Sequence, residues 1–158
     1  MPRVTPGFAK NMMRRALREL VDPSPSRDEI SSIWAFFESR CAYCGAACDR
    51  TAKGGHIDHL ISASQGGANH VSNRVLSCPN CNEKEKLDLP WEQFLEQKCS
   101  DRDLRQERKA RILMWQRKHP VPPYLKVTSV FEKVGRLADA AVSAFDASVE
   151  QAREMRRF

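Results

Sequence analysis

The sequence predicts an α+β fold, mostly helical, in which a small strand–strand–helix core is flanked by N- and C-terminal helices. Three observations predict it. Four of the six cysteines form two Cys-x-x-Cys pairs, Cys41/Cys44 and Cys78/Cys81. Two short strand-like runs lie between the pairs, bounded by glycine turns. On both sides of this segment the apolar residues recur at helical spacing. The 158 residues are enough for one domain. It reads as 1–158, with N-terminal helices over 1–40, the cysteine-bracketed core over 41–88 and a helical extension over 89–158.

Taken in order, Phe8 to Leu20 is helical, with Phe8, Met12, Met13, Ala16, Leu17 and Leu20 on an apolar side. Lys10, Arg14 and Arg18 follow at i, i+4 and i+8 on another side, either as a solvated basic face or as a contact to backbone phosphates. Asp22-Pro23-Ser24-Pro25 ends this helix. Ser26-Arg27-Asp28-Glu29 is a capping box and opens a helix to about Ser39. Its stripe of Ile30, Ile33, Trp34 and Phe37 reads as core packed on the segment that follows.

The two Cys-x-x-Cys pairs suit tetrahedral zinc, each presenting two thiolates to one ion. Disulfides would need an export route, and Met1 to Leu20 lacks the apolar core of a signal peptide. Cys48 is close enough to Cys44 to compete as a ligand, and Cys99 reads as a free thiol. The 33 residues between the pairs must hold structure of their own. His56 to Ile61, between Gly54-Gly55 and Gly66-Gly67, reads as a first strand, and Arg74 to Ser77 as a second. Pro79 reads as the first helical position of a helix to about Leu87. So small a segment buries little core. Structural zinc, worth on the order of 10 kcal/mol or more, would hold it together.

Beyond the core, Pro90 to Leu95 opens a short helix, with Trp91, Phe94 and Leu95 on one face. Asp101 to His119 is another helix and the densest basic run, including Arg105 and Lys109. It is read as a phosphate-binding surface or as a solvated face. Pro120-Val121-Pro122-Pro123 is an extended break. Ser129 to Glu132 is a second capping box, opening a long helix to about Arg157. Its seam of Val127, Phe131, Val134, Ala138, Ala141, Phe145, Ser148, Ala152 and Met155 is heptad-like. That seam packs either on its own domain or on a second copy, as a homodimer through the C-terminal helix.

The order Asp58-His59 on a first strand, Gly66-Gly67, Asn73 in the following loop and Asn82 after the last cysteine resembles the HNH endonuclease family. Its catalytic unit is called the ββα-metal fold, and the cysteine pairs match its zinc-stapled branch. The resemblance covers residues 41 to 86. It implies a metal-dependent DNA endonuclease that hydrolyses phosphodiester bonds to 5′-phosphate and 3′-hydroxyl ends. By the same resemblance His59 is the general base, Asp58 and Asn82 hold Mg²⁺ or another divalent metal, and Asn73 orients His59 and braces its loop. Such chemistry needs an activated water, charge neutralisation at the phosphate and help for the leaving oxygen. Neutral imidazole and hard oxygen ligands meet those needs.

The chain departs from the family at one position. Many members carry Lys three residues after the final metal-site residue, where Glu85 stands here, flanked by Lys84 and Lys86. Lys86 is the candidate substitute to face the phosphate. His56 shares the strand side of Asp58, while His70 and His119 read as structural or solvated.

A net charge of +6 favours a polyanionic partner. No run of 18 apolar residues exists, so no membrane span is expected, and the protein reads as intracellular. No repeat of fixed period is present. The alternative to a nuclease is a non-catalytic nucleic-acid-binding zinc module, which charge and cysteines alone would allow. A zinc-stabilised adaptor using the C-terminal helix is a third reading. Asp58, His59 and Asn82 discriminate, because a pure binder has no use for them.

Overall fold

The computed structural model describes residues 4–126 and 128–157. The chain forms two compact units, one of Met1–Pro23 with Pro122–Phe158 and one of Ser24–Val121. The architecture is the expected one, mostly helical with one small antiparallel sheet. No helix among the described residues is long and apolar enough to cross a membrane.

The first unit is built on α1 (Pro6–Val21) and α5 (Thr128–Glu154). Thr5 caps α1 by accepting from the Phe8 amide at 3.2 Å, with Pro6 at the first helical position. The helices run antiparallel: Lys10 pairs with Asp146 at 3.0 Å and Arg14 with Asp139 at 3.2 Å. Arg18 lies over the Phe131 ring, 5.6 Å from its centroid. Phe131, Val134 and Ala138 of the predicted seam therefore sit beside Arg14 and Arg18 of the same chain. Ser148 and Ala152 of that seam are exposed. Val127, its first residue, lies outside the described residues. Because α5 starts at Thr128, Ser129 falls inside the first turn rather than at the cap, which corrects the capping-box reading there.

The second unit holds the sheet and the buried aromatic core. In α2 (Arg27–Phe36) both capping-box bonds form: the Glu29 amide donates to Ser26 Oγ at 3.2 Å, and the Ser26 amide to Glu29 Oε2 at 2.8 Å. The helix stops before the expected Ser39, since Glu38 and Ser39 take positive φ. β1 (His56–His59) pairs with β2 (Arg74–Ser77) in the register His56–Ser77, Ile57–Leu76, Asp58–Val75, His59–Arg74. A seven-residue π-helix follows over Asn80–Lys86, then α3 (Trp91–Lys98) and α4 (Arg102–Lys118). Asp101 caps α4 by accepting from the Leu104 amide at 2.9 Å.

The core gathers Ile33 and Trp34 from α2 with Phe37 at its C-cap, Leu60, Val75 and Leu76 from the hairpin, Trp91, Phe94 and Leu95 from α3, and Ile112 and Trp115 from α4. At about 25 cal/mol per Å² of buried apolar surface, these flanking helices supply burial that the cysteine-bracketed segment lacks alone. Trp115 also donates from Nε1 to the Val71 carbonyl at 3.0 Å, tying α4 to the loop before β2.

Candidate active site and metal centre

The two cysteine pairs converge. The Sγ atoms of Cys41, Cys44, Cys78 and Cys81 all lie within 4.8 Å of one another, so the four can hold one metal ion. Cys44 and Cys78 Sγ are 3.7 Å apart, close to the ~3.8 Å edge of a tetrahedron with zinc–sulfur bonds of about 2.3 Å. An all-thiolate tetrahedral set fits zinc. Contact among the thiols drives Cys41 well below its ordinary pKa, pushes Cys44 up to about 11 through its bond to Cys41, and pushes Cys81 up for the same reason. One thiolate is thus favoured by its neighbours, and further ionisation needs a cation. Cys48 stands outside the set, with Sγ directed to the Ala46 carbonyl at 3.8 Å, and Cys99 Sγ faces the Asp101 carbonyl at 3.5 Å.

Asp58 and His59 occupy the end of β1. The Asp58 carboxylate is buried; Oδ2 accepts from the Tyr43 hydroxyl at 3.0 Å and lies 3.3 Å from Lys86 Nζ. Burial raises its pKa, and the Lys86 charge and the Tyr43 hydrogen bond pull the other way. Both of these side chains meet Oδ2.

His59 takes different partners. Arg74, its cross-strand neighbour, brings Nη1 to 3.1 Å from Nδ1. Asn69 Oδ1 lies 3.2 Å from Nε2 and 2.7 Å from Arg74 Nη2. A guanidinium can only donate, so Nδ1 carries the lone pair and the ring proton resides on Nε2, given to Asn69.

Asn73 closes the 3₁₀ turn Val71–Asn73 before β2. Its Nδ2 donates to the Ile61 carbonyl at 2.9 Å and the Ala68 carbonyl at 2.8 Å, and its Oδ1 accepts from the Ile61 amide at 2.9 Å. These bonds close the loop between the strands. Gly67 is required inside it, since a Cβ there would collide with the Ile61 carbonyl.

Asn82 lies on the π-helix, partly buried, its amide bonded to the Cys78 carbonyl at 3.0 Å. Its neighbours on that helix reach β1. Glu83 meets His56 Nε2 at 3.3 Å, and Lys86, itself fully buried, donates to the His59 carbonyl at 2.6 Å. A π-helix winds with i→i+5 bonds and fits more residues into a turn than the 3.6 of an α-helix. Lys86, four residues on from Asn82, reaches both His59 and Asp58 from this helix. Glu85 turns elsewhere, bonding Asn80 at 2.6 Å and Lys98 at 2.6 Å. Lys84 is exposed.

Residues 41–87 match the family model of the HNH endonuclease. This segment is similar to the HNH endonuclease family. The match spans less than a third of the chain and includes both cysteine pairs, Asp58, His59, Asn73, Asn82 and Lys86. No curated protein and no solved structure matches the chain.

Among the basic residues singled out for nucleic acid, Lys10 and Arg14 pair with carboxylates on α5, and Arg18 with Asp22 at 3.6 Å. Arg105 Nη1 donates to the Cys99 carbonyl at 3.4 Å, and Lys109 is partly exposed on α4. Tyr43, Asn69 and Arg74 escaped the sequence reading. Arg74 stands directly across from His59 only in this hairpin register, which the structure supplies. Tyr43, inside the first Cys-x-x-Cys, gave no local signal of reaching Asp58.

Proposed function

We propose that this HNH-like segment is a metal-dependent DNA endonuclease, with zinc on Cys41, Cys44, Cys78 and Cys81 as its structural ion. The observation that carries the reading is the imidazole of His59, clamped through Nε2 by Asn69 with its Nδ1 lone pair turned to Arg74, on the strand residue that follows the buried Asp58. The family match supports the reaction class. A divalent ion such as Mg²⁺, held by Asp58 and Asn82, would supply Lewis-acid stabilisation of the phosphate and the departing 3′ oxygen.

The chain's own residues do the rest. Nδ1 of His59 takes the proton of a water that replaces Arg74 as its donor. Asn69 keeps the ring oriented during that transfer. Arg74, released from Nδ1, offers its guanidinium to a phosphate oxygen. Asn73 holds the loop, and so Asn69, in place. The ends left are 5′-phosphate and 3′-hydroxyl. Two copies paired through the exposed part of α5 would cut both strands, which the ratio of linear to nicked plasmid reads.

The test is supercoiled plasmid incubated with Mg²⁺ or Mn²⁺. Loss of a general base typically costs about 10²–10⁴ in rate, so His59→Ala should fall into that range and EDTA should abolish nicking. Wild-type protein that binds DNA without nicking it, across metals, would instead make the segment a non-catalytic zinc module. The ion pair and hydrogen bond at Asp58 Oδ2 are the observation on that side.

A further inference from the structure

A cavity of about 200 Å³ opens between the first cysteine pair and α4. Arg40, Arg108 and Arg111 line it, with Glu107 beside them. Arg108 and Arg111 stand one turn apart on α4, and Arg40 comes from the link between α2 and Cys41. Main-chain carbonyls fix all three: Arg40 Nη1 donates to Gly45 at 3.2 Å, Arg108 Nη1 to Tyr43 at 2.8 Å and Arg111 Nη2 to Phe36 at 2.7 Å. Arg111 also pairs with Glu38. Among the described residues, Arg40 and Arg108 have no carboxylate within ion-pair distance, whereas three of the four α1 cations, Lys10, Arg14 and Arg18, have one.

Two uncompensated guanidiniums on one cavity repel each other. Each has five N–H donors and spends one on a carbonyl, so the pair retains donors in the planar geometry that suits a phosphate. The wall is cut to admit them. Gly45 has φ +74°, and a Cβ there would stand 2.8 Å from Arg108 Nη2.

We propose that this cleft binds a phosphate of a nucleic-acid backbone, with Arg40 and Arg108 as its donors. The proposal rests on the nucleic-acid substrate assigned above. Tyr43 favours a strand over a free anion: its carbonyl holds Arg108 while its hydroxyl holds Asp58. One phosphate here and another at Asp58 are thus a single side chain apart, within reach of one continuous strand.

The experiment uses the full zinc-loaded chain carrying His59→Ala, so that DNA is bound and not cut. Duplex affinity is measured from about 50 to 200 mM salt, with and without Arg40→Gln and Arg108→Gln together. The log–log slope should become shallower by about 0.9, the value of one phosphate contact, with zinc content unchanged. Glu107→Gln, an exposed change that touches no carbonyl bond, should tighten DNA binding. Inorganic phosphate, titrated alone, should bind far more weakly than DNA. An unchanged slope overturns the proposal. Zinc loss from the double variant does too if Glu107→Gln leaves DNA affinity unchanged, because the guanidiniums then serve the thiolates. Saturable phosphate binding with an unaltered DNA slope makes the cleft a free-anion site and also overturns it. Plasmid nicking by wild type is read separately, so a shallower slope without nicking removes the nuclease reading and leaves the cleft.

Discussion

Lys86 and Asp58 form a buried ion pair whose two members come from different elements. The ammonium is about 1% exposed and the carboxylate about 10%. Removing one partner of such a pair typically costs about 3–5 kcal/mol, because the other charge is left buried and alone. Lys86→Met should therefore lose about 3 kcal/mol in urea unfolding and drive the Asp58 carboxyl further up. Burial already holds that carboxyl above its ordinary value of 3.8. The folded protein then keeps this proton to a higher pH than the unfolded chain does. The stability this contributes is complete below pH 3.8 and is lost as pH rises through the raised value. Lys86→Met should widen that window upward; a titration of the variant showing no upward movement would break the pairing argument.

At the scale of elements, α4 ends on a group whose protonation the fold opposes. The His119 ring packs on Trp115 at a tilt of 44° with ring centroids 4.0 Å apart, and its Nε2 is buried without a hydrogen-bond partner. Burial lowers its pKa from 6.5, with Lys118 adding to the shift. The stability tied to the neutral ring is present above pH 6.5 and lost as pH falls through the depressed value. His119→Phe keeps an aromatic ring against Trp115 and removes both the orphan nitrogen and the titration. It should gain about 1 kcal/mol at neutral pH and flatten the acid side of a thermal-melt series. A variant as acid-sensitive as wild type would place the cause elsewhere.

The elements themselves were largely legible. α2 opens on the Ser26–Glu29 capping box as expected, and α1 spans Pro6–Val21 around the expected Phe8–Leu20, its Thr5 cap having gone unread. β2 runs over the expected Arg74–Ser77, while β1 stops at His59, two residues short of the expected Ile61. The Asn73 carboxamide takes both the Ile61 amide and carbonyl, so those groups leave the ladder. The helix after Cys78 was legible as helix but not as π-helix, since no residue pattern announces an i→i+5 ladder. On this helix it is Lys86 rather than Glu85 that meets Asp58.

For the whole molecule, a metal ion held by the four cysteines would outweigh any other single contribution. Structural zinc is worth on the order of 10 kcal/mol or more, against roughly 5–15 kcal/mol of net stability for a typical domain. Trp34, Trp91 and Trp115 all lie in the core of the Ser24–Val121 unit, so tryptophan fluorescence reports that unit alone. A strong chelator should shift their emission to that of water-exposed indole and abolish cooperative unfolding there. Emission unmoved by chelation, with zinc shown to be removed, would contradict the account.

By itself the sequence determined the four thiolates, the hairpin between them and the flanking amphipathic helices, because each rests on spacing within a few residues along the chain. Only the tertiary structure decided which groups meet: Tyr43 and Lys86 on Asp58, Arg74 and Asn69 on His59, Arg40 and Arg108 on one cleft. Those encounters depend on strand register, on the winding of one helix and on how α4 packs. Such quantities arise from the burial of the whole core rather than from any local run of residues.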